Sequence, residues 1–363
     1  MATYPSLPAD INRLLQEGTV IPAHPLALRQ DISIDEERQR LLTRYYLAAG
    51  AGGVAVGVHT TQFEIRNPAI NLLETVFKLA AEEIEKAKLH YPVIKVAGIC
   101  GPTEQAIKEA RLAVQYGYHL GLVSMGGLQQ YSEAELMKRL YAIAEVIPLF
   151  GFYLQPAVGG RMLSYSFWRA FAEIPNAYAV KVAAFNRYQT LDTVRAIAES
   201  GRGRAIALYT GNDDNIVADL LTPFRFIVNE QQVEKQFVGG LLGHWSVWTS
   251  KAVALLEEVK QCIQNNYTGM ADLLAKGVSI TDMNAVIFDA AHSFHGCIPG
   301  IHEVLRRQGL LEGLWCLNAG EQLSAGQLEE TDRIYRCHEA LTDDQFVKTF
   351  LSRDQKRRLY GAK

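Results

Sequence analysis

A single lysine interrupts an apolar segment whose pattern predicts a buried strand. The segment reads IPNAYAVKVAAFN, residues 174–186, and Lys181 lies between Ala179–Val180 and Val182–Ala183. Burying an ammonium group without a partner is costly, so its pKa should fall until the neutral amine is populated. A neutral amine is the nucleophile that Schiff-base chemistry with a carbonyl substrate requires. Lys181 is therefore the first candidate for a catalytic residue.

Tyr153, in the preceding apolar segment FGFYLQPAVGG, is the second candidate. If its side chain points inward, its phenol would lie beside Lys181 and could relay protons during carbinolamine formation and breakdown. The alternative for Tyr153 is an ordinary core aromatic whose hydroxyl bonds to the backbone. The alternative for Lys181 is a structural ion pair, which the absence of Asp and Glu from the predicted strands disfavours.

The elements that must position these residues form a repeating pattern. Short apolar segments alternate with amphipathic segments of helical period, which is typical of βα units. The predicted strands cover residues 19–28, 53–58, 92–100, 119–125, 148–155, 177–183, 205–211 and 237–243. With helices between them and one after the last, this pattern predicts an α/β fold, a (β/α)8 TIM barrel. A doubly wound sheet is the alternative, but no GxGxxG motif follows the first strand.

A barrel would place Lys181 at the usual site of catalysis. Alternate side chains of a barrel strand point inward, so Lys181 would share the inner face with Ala179 and Ala183. Val180 and Val182 would then point outward, toward the helices. Barrel active sites lie at the carboxyl ends of the strands, where the sixth predicted strand would carry Lys181.

The β pattern ends near residue 267, and the rest of the chain has a helical pattern. We predict a barrel with a lead-in helix over residues 1–266 and a C-terminal helical extension over residues 267–363. No low-complexity linker separates the two parts, so the extension should pack on the barrel.

Composition excludes several classes of function. The chain has 363 residues, 48% of them hydrophobic and 21% charged, with a formal net charge of −3, as in ordinary globular proteins. No basic patch indicates nucleic acid as a partner, and no apolar segment is long enough to span a bilayer. The N-terminal segment lacks a secretory signal pattern. The five cysteines have no CxxC spacing, which favours reduced thiols in a cytoplasmic protein.

The segment from Tyr153 to Lys181 resembles the dihydrodipicolinate synthase / N-acetylneuraminate lyase family of class I aldolases. The positions in register with the family pattern are Tyr153, Pro156, Gly160, Leu163–Ser164, Pro175–Asn176 and Lys181. Further matches are the Thr60–Thr61 pair, LYTGNDD at 208–214 and GGLLGHWS at 239–246. The resemblance implies the same barrel with C-terminal helices, assembled as a homo-oligomer, either a dimer or a tetramer.

The resemblance also implies a lyase or aldolase that acts on a small carbonyl substrate without a cofactor. Lys181 would form an imine with a 2-oxo acid or related compound, and Tyr153 would shuttle protons. Thr60 and Thr61 would bind the substrate carboxylate. Other residues expected to contact substrate lie within predicted strands or directly after them: His24, His59, Gln155, Gly211, Asn212 and His244.

Three departures from the family pattern indicate a different substrate. The arginine that reads an acidic substrate falls at Val158, with Arg161 nearby, and the second tyrosine falls at Gly126–Gly127. Both glycines of the family's Gly-Thr-Thr-Gly-Glu loop are replaced, by His59 and Gln62. Imidazole and amide groups suit a hydroxylated, sugar-acid-like ligand, because each buried hydroxyl needs a hydrogen-bond partner.

Two other functions stay open. The departures would also fit a degenerate barrel kept as a small-molecule-binding or regulatory protein. A metal-dependent hydrolase could use His24, His59 and the Asp213–Asp214 pair, although that pair is better explained as a cap for the following helix. Glu64 is a further acidic candidate. The segment HSFHGCIPGIHE could supply His292, His295 and His302 to a metal, but a helix end followed by a turn explains it more simply.

Overall fold

Eight parallel strands close into a barrel in the computed structural model, which describes residues 4–360. The described residues contain ten strands: β1 Val20–Pro22, β2 Gly53–Val56, β3 Ile94–Ile99, β4 Leu120–Val123, β5 Leu149–Leu154, β6 Ala177–Ala183, β7 Ala207–Thr210, β8 Phe224–Val228, β9 Gln231–Lys235 and β10 Phe237–Leu242. The barrel order is β1-β10-β7-β6-β5-β4-β3-β2. A parallel bridge between Ala23 and Ala55 joins the last strand to the first. The predicted (β/α)8 barrel is confirmed.

Thirteen α-helices accompany the strands in the described chain. They are α1 Ala9–Glu17, α2 Glu36–Ala48, α3 Leu73–Lys86, α4 Thr103–Gln115, α5 Glu133–Ala144, α6 Tyr165–Ala172, α7 Arg187–Ala198, α8 Ile216–Leu221, α9 Thr249–Gln264, α10 Met270–Ile287, α11 Cys297–Arg307, α12 Gln327–Cys337 and α13 Asp344–Tyr360. Helices α2 to α9 cover the barrel, and α10 to α13 form the C-terminal extension. None of the described helices is long and apolar enough to cross a membrane.

The barrel interior is filled from its amino-terminal end. Ile11 and Leu15 of α1 are buried in the same apolar cluster as the inward side chains of the strands. The Tyr209 hydroxyl donates to the Leu15 carbonyl at 2.9 Å, which fixes α1 against β7. This packing closes the amino-terminal end of the barrel, so the carboxyl ends of the strands hold the accessible space.

A cap begins the helix that follows the lysine strand. Asn186 has extended backbone angles, and its side-chain oxygen accepts from the backbone N–H groups of Tyr188 and Gln189 at 2.9 and 3.1 Å. Asn is among the preferred residues at this position, because its side chain satisfies N–H groups that the helix leaves free. The short loop between β6 and α7 is thereby fixed.

A two-stranded antiparallel hairpin, β8 and β9, was not predicted. It lies between α8 and β10 and packs against α7. Its turn residues, Asn229 and Glu230, have φ angles of 50° and 64°, as in the tight turns that suit twisted hairpins. The sequence carries Asn-Glu rather than the usual Asn-Gly at the turn, so the strongest hairpin signal is missing.

Candidate active site

A pocket lies at the carboxyl ends of the barrel strands and contains Lys181. Its polar lining comes from Lys181 on β6 and from the loops that follow β2, β5 and β7, and its apolar lining comes partly from the C-terminal extension. The lining residues on which the argument depends are His59, Thr60, Gln155, Lys181, Asp213 and, on the apolar side, Phe152, Val158, Phe185, Phe294 and Ile301.

Lys181 points into the barrel, as predicted. Ala179 and Ala183 belong to the inner apolar cluster, whereas Val180 and Val182 belong to the cluster between strands and helices. The lysine side chain is 8% exposed, and its Nζ lies 4.5 Å from the centre of the Phe152 ring. Burial lowers the pKa of Lys181 to about 8, although the negative charge of Asp213 opposes this shift.

Asp213 is the acidic neighbour of Lys181, and the sequence analysis assigned it wrongly to a helix cap. It follows β7 and accepts a hydrogen bond on Oδ1 from the backbone N–H of His244 at 3.0 Å. Burial raises the pKa of Asp213 to about 7, while the His244 N–H and the charge of Lys181 act in the opposite direction. The predicted strands hold no Asp or Glu, and Asp213 lies two residues beyond the end of the seventh of them, so the acidic neighbour comes from a loop.

Lys181 and Asp213 both have shifted pKa values. Burial lowers the pKa of Lys181 and raises that of Asp213, which makes a neutral amine and a protonated carboxyl group easier to form. Their side chains form no direct ion pair in the described chain, so the amine stays available to a substrate carbonyl. A nucleophile and an acid–base group of matched pKa are what imine chemistry needs.

Tyr153 points away from Lys181, which contradicts the inward orientation considered for it. Phe150, Phe152 and Leu154 take the inward positions of β5, so alternation sends Tyr153 outward. Its ring stacks on Trp168 at a centroid distance of 5.7 Å, and its hydroxyl accepts from the Leu163 N–H at 3.3 Å. Tyr153 is the core aromatic that the sequence analysis gave as the alternative.

The orientation of Tyr153 leads to a first prediction. Tyr153→Phe should change the rate of imine formation and turnover by less than about threefold. It should lower the free energy of unfolding by about 0.5–1.5 kcal/mol, because one buried hydrogen bond is lost. Borohydride trapping kinetics and thermal unfolding measure the two effects. A hundredfold loss of turnover in a folded variant would show that the phenol reaches the substrate.

Of the predicted threonine pair, Thr60 lines the pocket and Thr61 only bonds to backbone groups. Thr60 lines the pocket, and its hydroxyl donates to the Ala23 carbonyl at 2.8 Å. Thr61 does not line the pocket, since its hydroxyl donates to the His24 carbonyl at 2.6 Å and accepts two backbone N–H groups. His59 lines the pocket, and burial lowers its pKa to about 4, with a smaller contribution from Lys181. His59 is therefore a neutral imidazole at pH 7.

Three other residues that were expected to contact substrate do not line the pocket. His24 is fully buried, and its ring nitrogens lie 2.8 Å from the Pro25 carbonyl and 2.9 Å from the Thr43 hydroxyl. Asn212 accepts from the Phe185 N–H at 2.9 Å. His244 packs its ring on Trp248 and gives only its backbone N–H to Asp213. Asn212 and His244 thus position pocket residues without lining the pocket themselves.

Gly211 and Gln155 line the pocket, and the glycine makes room for the lysine. A Cβ at Gly211 would lie 2.6 Å from Cε of Lys181 and 2.8 Å from Cβ of Ala183. Contacts this short force one of the groups to move. Any side chain at residue 211 would therefore displace the catalytic amine.

Gly211→Ala supplies a second prediction. The variant should slow imine formation by about tenfold or more, because a displacement of the reacting atom of about 1 Å costs up to about a hundredfold in rate. Gly201→Ala is the matched control, since a Cβ there meets no atom within 4 Å. Adding borohydride to samples at timed intervals after pyruvate measures the rate of imine formation in both variants. Equal rates in the two variants would mean that Lys181 does not react from the position seen here.

The C-terminal extension closes one side of the pocket, which sequence reasoning missed. Phe288, Phe294, Cys297 and Ile301 all line it, and they come from the loop before α11 and from α11 itself. The sequence analysis singled out this segment for its histidines, not for its apolar residues. Pro299 and Gly300 lie in the first turns of α11 rather than in the turn that was expected.

The histidines of this segment do not converge. His292 hydrogen-bonds Asp289, with 2.6 Å between Nδ1 and Oδ1, while the Nδ1 atom of His302 lies 4.0 Å from Sγ of Cys316. Within residues 4–360, no three His, Cys, Asp or Glu side chains are grouped to hold a metal ion. The ligand set of the metal-dependent hydrolase is therefore not assembled, because His24 is engaged elsewhere.

The arginine expected from the family pattern is missing from the described lining of the pocket. Val158 lines it at the position expected for an arginine. Arg161 is not a substitute, since its Nη1 donates to the carbonyls of Leu128 and Tyr131 at 2.8 and 2.9 Å. No arginine lines the pocket in the described chain.

Comparison with solved structures identifies the fold. The chain superimposes on dihydrodipicolinate synthase from Oceanobacillus iheyensis with a TM-score of 0.71 and 17% identity, covering 91% of this chain and 100% of that one. For N-acetylneuraminate lyase from Fusobacterium nucleatum the TM-score is 0.67 at 17% identity, covering 88% and 98%. For a chloride-inhibited dihydrodipicolinate synthase from Acinetobacter baumannii complexed with pyruvate it is 0.70 at 16%, covering 88% and 98%. No family model matches the sequence, and no curated protein matches it. At these identities the likeness establishes the fold alone.

Proposed function

We propose that the chain is a divergent member of the dihydrodipicolinate synthase / N-acetylneuraminate lyase family that cleaves or forms carbon–carbon bonds through an imine on Lys181. The observation that carries the proposal is the buried amine of lowered pKa, free of a direct ion pair, in a pocket at the carboxyl end of a barrel. The barrel itself matches those of the synthases and lyases compared above.

The first step is condensation of Lys181 with a substrate ketone. The neutral Nζ attacks the carbonyl carbon, the carbonyl oxygen takes a proton, and the nitrogen, now positively charged, loses one, which gives a neutral carbinolamine. A second proton delivered to this hydroxyl lets it leave as water, and the nitrogen lone pair forms the protonated imine. Asp213, whose pKa burial raises, is the group that supplies and recovers these protons.

The second step breaks the bond between the carbons β and γ to the imine nitrogen. Asp213 removes the proton from the hydroxyl on the γ carbon, an aldehyde forms there, and the bonding electrons flow into the protonated imine to give an enamine. Protonation of the enamine carbon and hydrolysis of the new imine release a 2-oxo acid and restore the amine. The same steps in reverse form the bond, so the direction depends on concentrations.

The substrate carboxylate has a place among the polar groups of the pocket. Gln155 lines it beside Lys181, and its side-chain amide carries two N–H donors, whereas the Thr60 hydroxyl proton is engaged by the Ala23 carbonyl. The synthase from Acinetobacter baumannii and the lyase from Fusobacterium nucleatum were both solved with pyruvate, which supports a small 2-oxo acid here. We take pyruvate as the reference donor substrate.

Borohydride trapping tests the proposed function. Incubating the protein with pyruvate and then reducing with borohydride should add one 1-carboxyethyl group per chain, from the reduced imine, and inactivate it. Pyruvate alone and borohydride alone are the controls. A chain whose mass does not change with any of a panel of 2-oxo acids would be a binding protein with a degenerate site, not a lyase.

The assembly comes into the proposal from the resemblance, and the location from the scattered cysteines without CxxC spacing. We expect a homo-oligomer, a dimer or tetramer, that works in the cytoplasm without a cofactor. Sedimentation of the purified chain measures the first of these directly.

A further inference from the structure

The polar groups of the pocket are few, and the proposed chemistry uses most of them. Lys181 forms the imine, Asp213 moves protons, and Gln155 serves the carboxylate. Among the side chains that line this pocket, the neutral imidazole of His59 is left for the rest of a substrate, since the Thr60 hydroxyl proton is engaged by the Ala23 carbonyl. The remaining lining is apolar and rich in aromatic rings: Phe152, Leu154, Val158, Phe185, Phe288, Phe294 and Ile301.

Two of these rings form a pair from distant parts of the chain. Phe185 lies in the loop after β6, four residues beyond Lys181, and Phe294 lies in the loop before α11. Their centroids are 5.8 Å apart with the ring planes at 80°, an edge-to-face arrangement. Each ring also faces the pocket, so the pair presents apolar surface close to the amine.

The backbone at both rings is strained and tightly held. Phe185 has a φ of 51° and Phe294 a φ of 67°, in the left-handed region that bulky residues rarely adopt. The side-chain oxygen of Asn212 accepts from the Phe185 N–H at 2.9 Å. The Phe294 loop is held by the buried Asp289 carboxylate, which accepts from the Gly296 N–H at 2.9 Å and the Ser324 hydroxyl at 2.5 Å.

Strain of this kind persists only where the surrounding structure enforces it, and it concentrates at binding sites. Holding two aromatic rings next to Lys181 therefore lowers the stability of the fold. Apolar packing alone would not require this strained backbone.

We propose that the aldehyde partner in the Lys181 reaction carries an uncharged planar group, an aryl ring, which packs against Phe185 and Phe294. This inference rests on the proposed function and names its substrate class: a 4-aryl-4-hydroxy-2-oxo acid, cleaved to an aryl aldehyde and pyruvate. The bond broken joins C3 and C4, its electrons pass to the imine, and the C4 hydroxyl becomes the aldehyde.

The same lining disfavours the sugar-acid ligand that the sequence suggested. A polyhydroxylated chain would bury several hydroxyl groups against phenyl rings, and each unpaired one costs free energy. A second carboxylate would meet Val158 and no arginine. Of the imidazole and amide groups that suggested a sugar acid, His24, Asn212 and His244 do not line the pocket.

The test compares aldehydes with pyruvate as the common donor. We expect kcat/KM for benzaldehyde to exceed that for D-erythrose and for succinic semialdehyde by at least tenfold.

Phe294→Leu keeps an apolar side chain but removes the ring, and should reduce the preference for benzaldehyde over erythrose by about three- to tenfold. Val158→Arg should raise kcat/KM for succinic semialdehyde. Phe226→Leu, on the β8–β9 hairpin, is the matched control and should leave the preference unchanged.

The outcomes separate this inference from the proposed function. If pyruvate is trapped on Lys181 but erythrose or succinic semialdehyde reacts as well as benzaldehyde, the aryl substrate is wrong and the lyase stands. The same holds if pyruvate is trapped and no aryl aldehyde reacts. If pyruvate is not trapped at all, both fail. A loss of aryl preference in Phe294→Leu with none in Phe226→Leu supports the inference.

Discussion

Lys181→Met should abolish borohydride-trapped adducts and reduce turnover by roughly four orders of magnitude or more, the scale expected when a covalent nucleophile is removed. Methionine has a similar length and no ionisable group, so it occupies the space beside Phe152 but forms no imine. The measurement is the intact mass after treatment with pyruvate and borohydride, together with steady-state turnover of the same sample.

The Lys181→Met variant should also stay folded. Replacing a buried charge by an apolar side chain of similar volume is often neutral or stabilising, so the melting temperature should be unchanged or higher. Lys235→Met is the matched control. Burial lowers the pKa of Lys235 to about 8 as well, but its Nζ donates to the carbonyls of Gly203 and Ile206, outside the pocket. Trapping that survives in Lys181→Met would contradict the assignment.

Asp213→Asn should reduce turnover by about 10²- to 10⁴-fold, because general acid–base catalysis contributes on that scale. Asparagine keeps the size of the side chain and an oxygen that can accept from the His244 N–H, but it moves no proton. The variant should therefore fold and bind pyruvate, while carbinolamine dehydration and bond cleavage become slow. Single-turnover measurements separate these steps.

Asp214→Asn is the control for Asp213→Asn. The neighbouring carboxylate is exposed and does not line the pocket, so its loss should change turnover by less than about threefold. Equal effects of the two substitutions would contradict the role of Asp213 and would indicate a general electrostatic effect of the pair.

The pH dependence of imine formation is a second test of the interaction between Asp213 and Lys181. Only the neutral amine attacks the carbonyl, so the rate of imine formation should rise with pH through the lowered pKa of Lys181, near 8. The charge of Asp213 raises that pKa, so removing the charge lowers it further. The rise should therefore move to lower pH in Asp213→Asn, even though its overall turnover falls. A purely structural role for Asp213 predicts no such displacement.

The strands of the barrel could be predicted from the sequence because each is a short apolar segment bounded by turn residues. The orientation of side chains was predictable only in part. On β6, two alanines alternate with valines around Lys181, so the inner face could be recognised. On β5 every residue from Leu149 to Leu154 is buried, so no alternation marks the inner face. The orientation of Tyr153 depends on register, which the structure supplies: Phe152, not Tyr153, pairs with Lys181.

The rest of the pocket depends on contacts between distant residues. Asp213 lies two residues beyond a predicted strand end, and only the barrel geometry brings it to Lys181. Phe294 and Ile301 come from a segment more than a hundred residues after the lysine strand. No local pattern in that segment indicates which strands it covers, because its apolar residues serve the helix core equally well.

Peptide mapping of the reduced pyruvate adduct tests the central claim most directly. The account predicts one 1-carboxyethyl group on the peptide that contains Lys181 and none on the peptide that contains Lys235, whose amine has a similarly low pKa. An adduct on Lys235 or spread over surface lysines, with Lys181 unmodified, would contradict it.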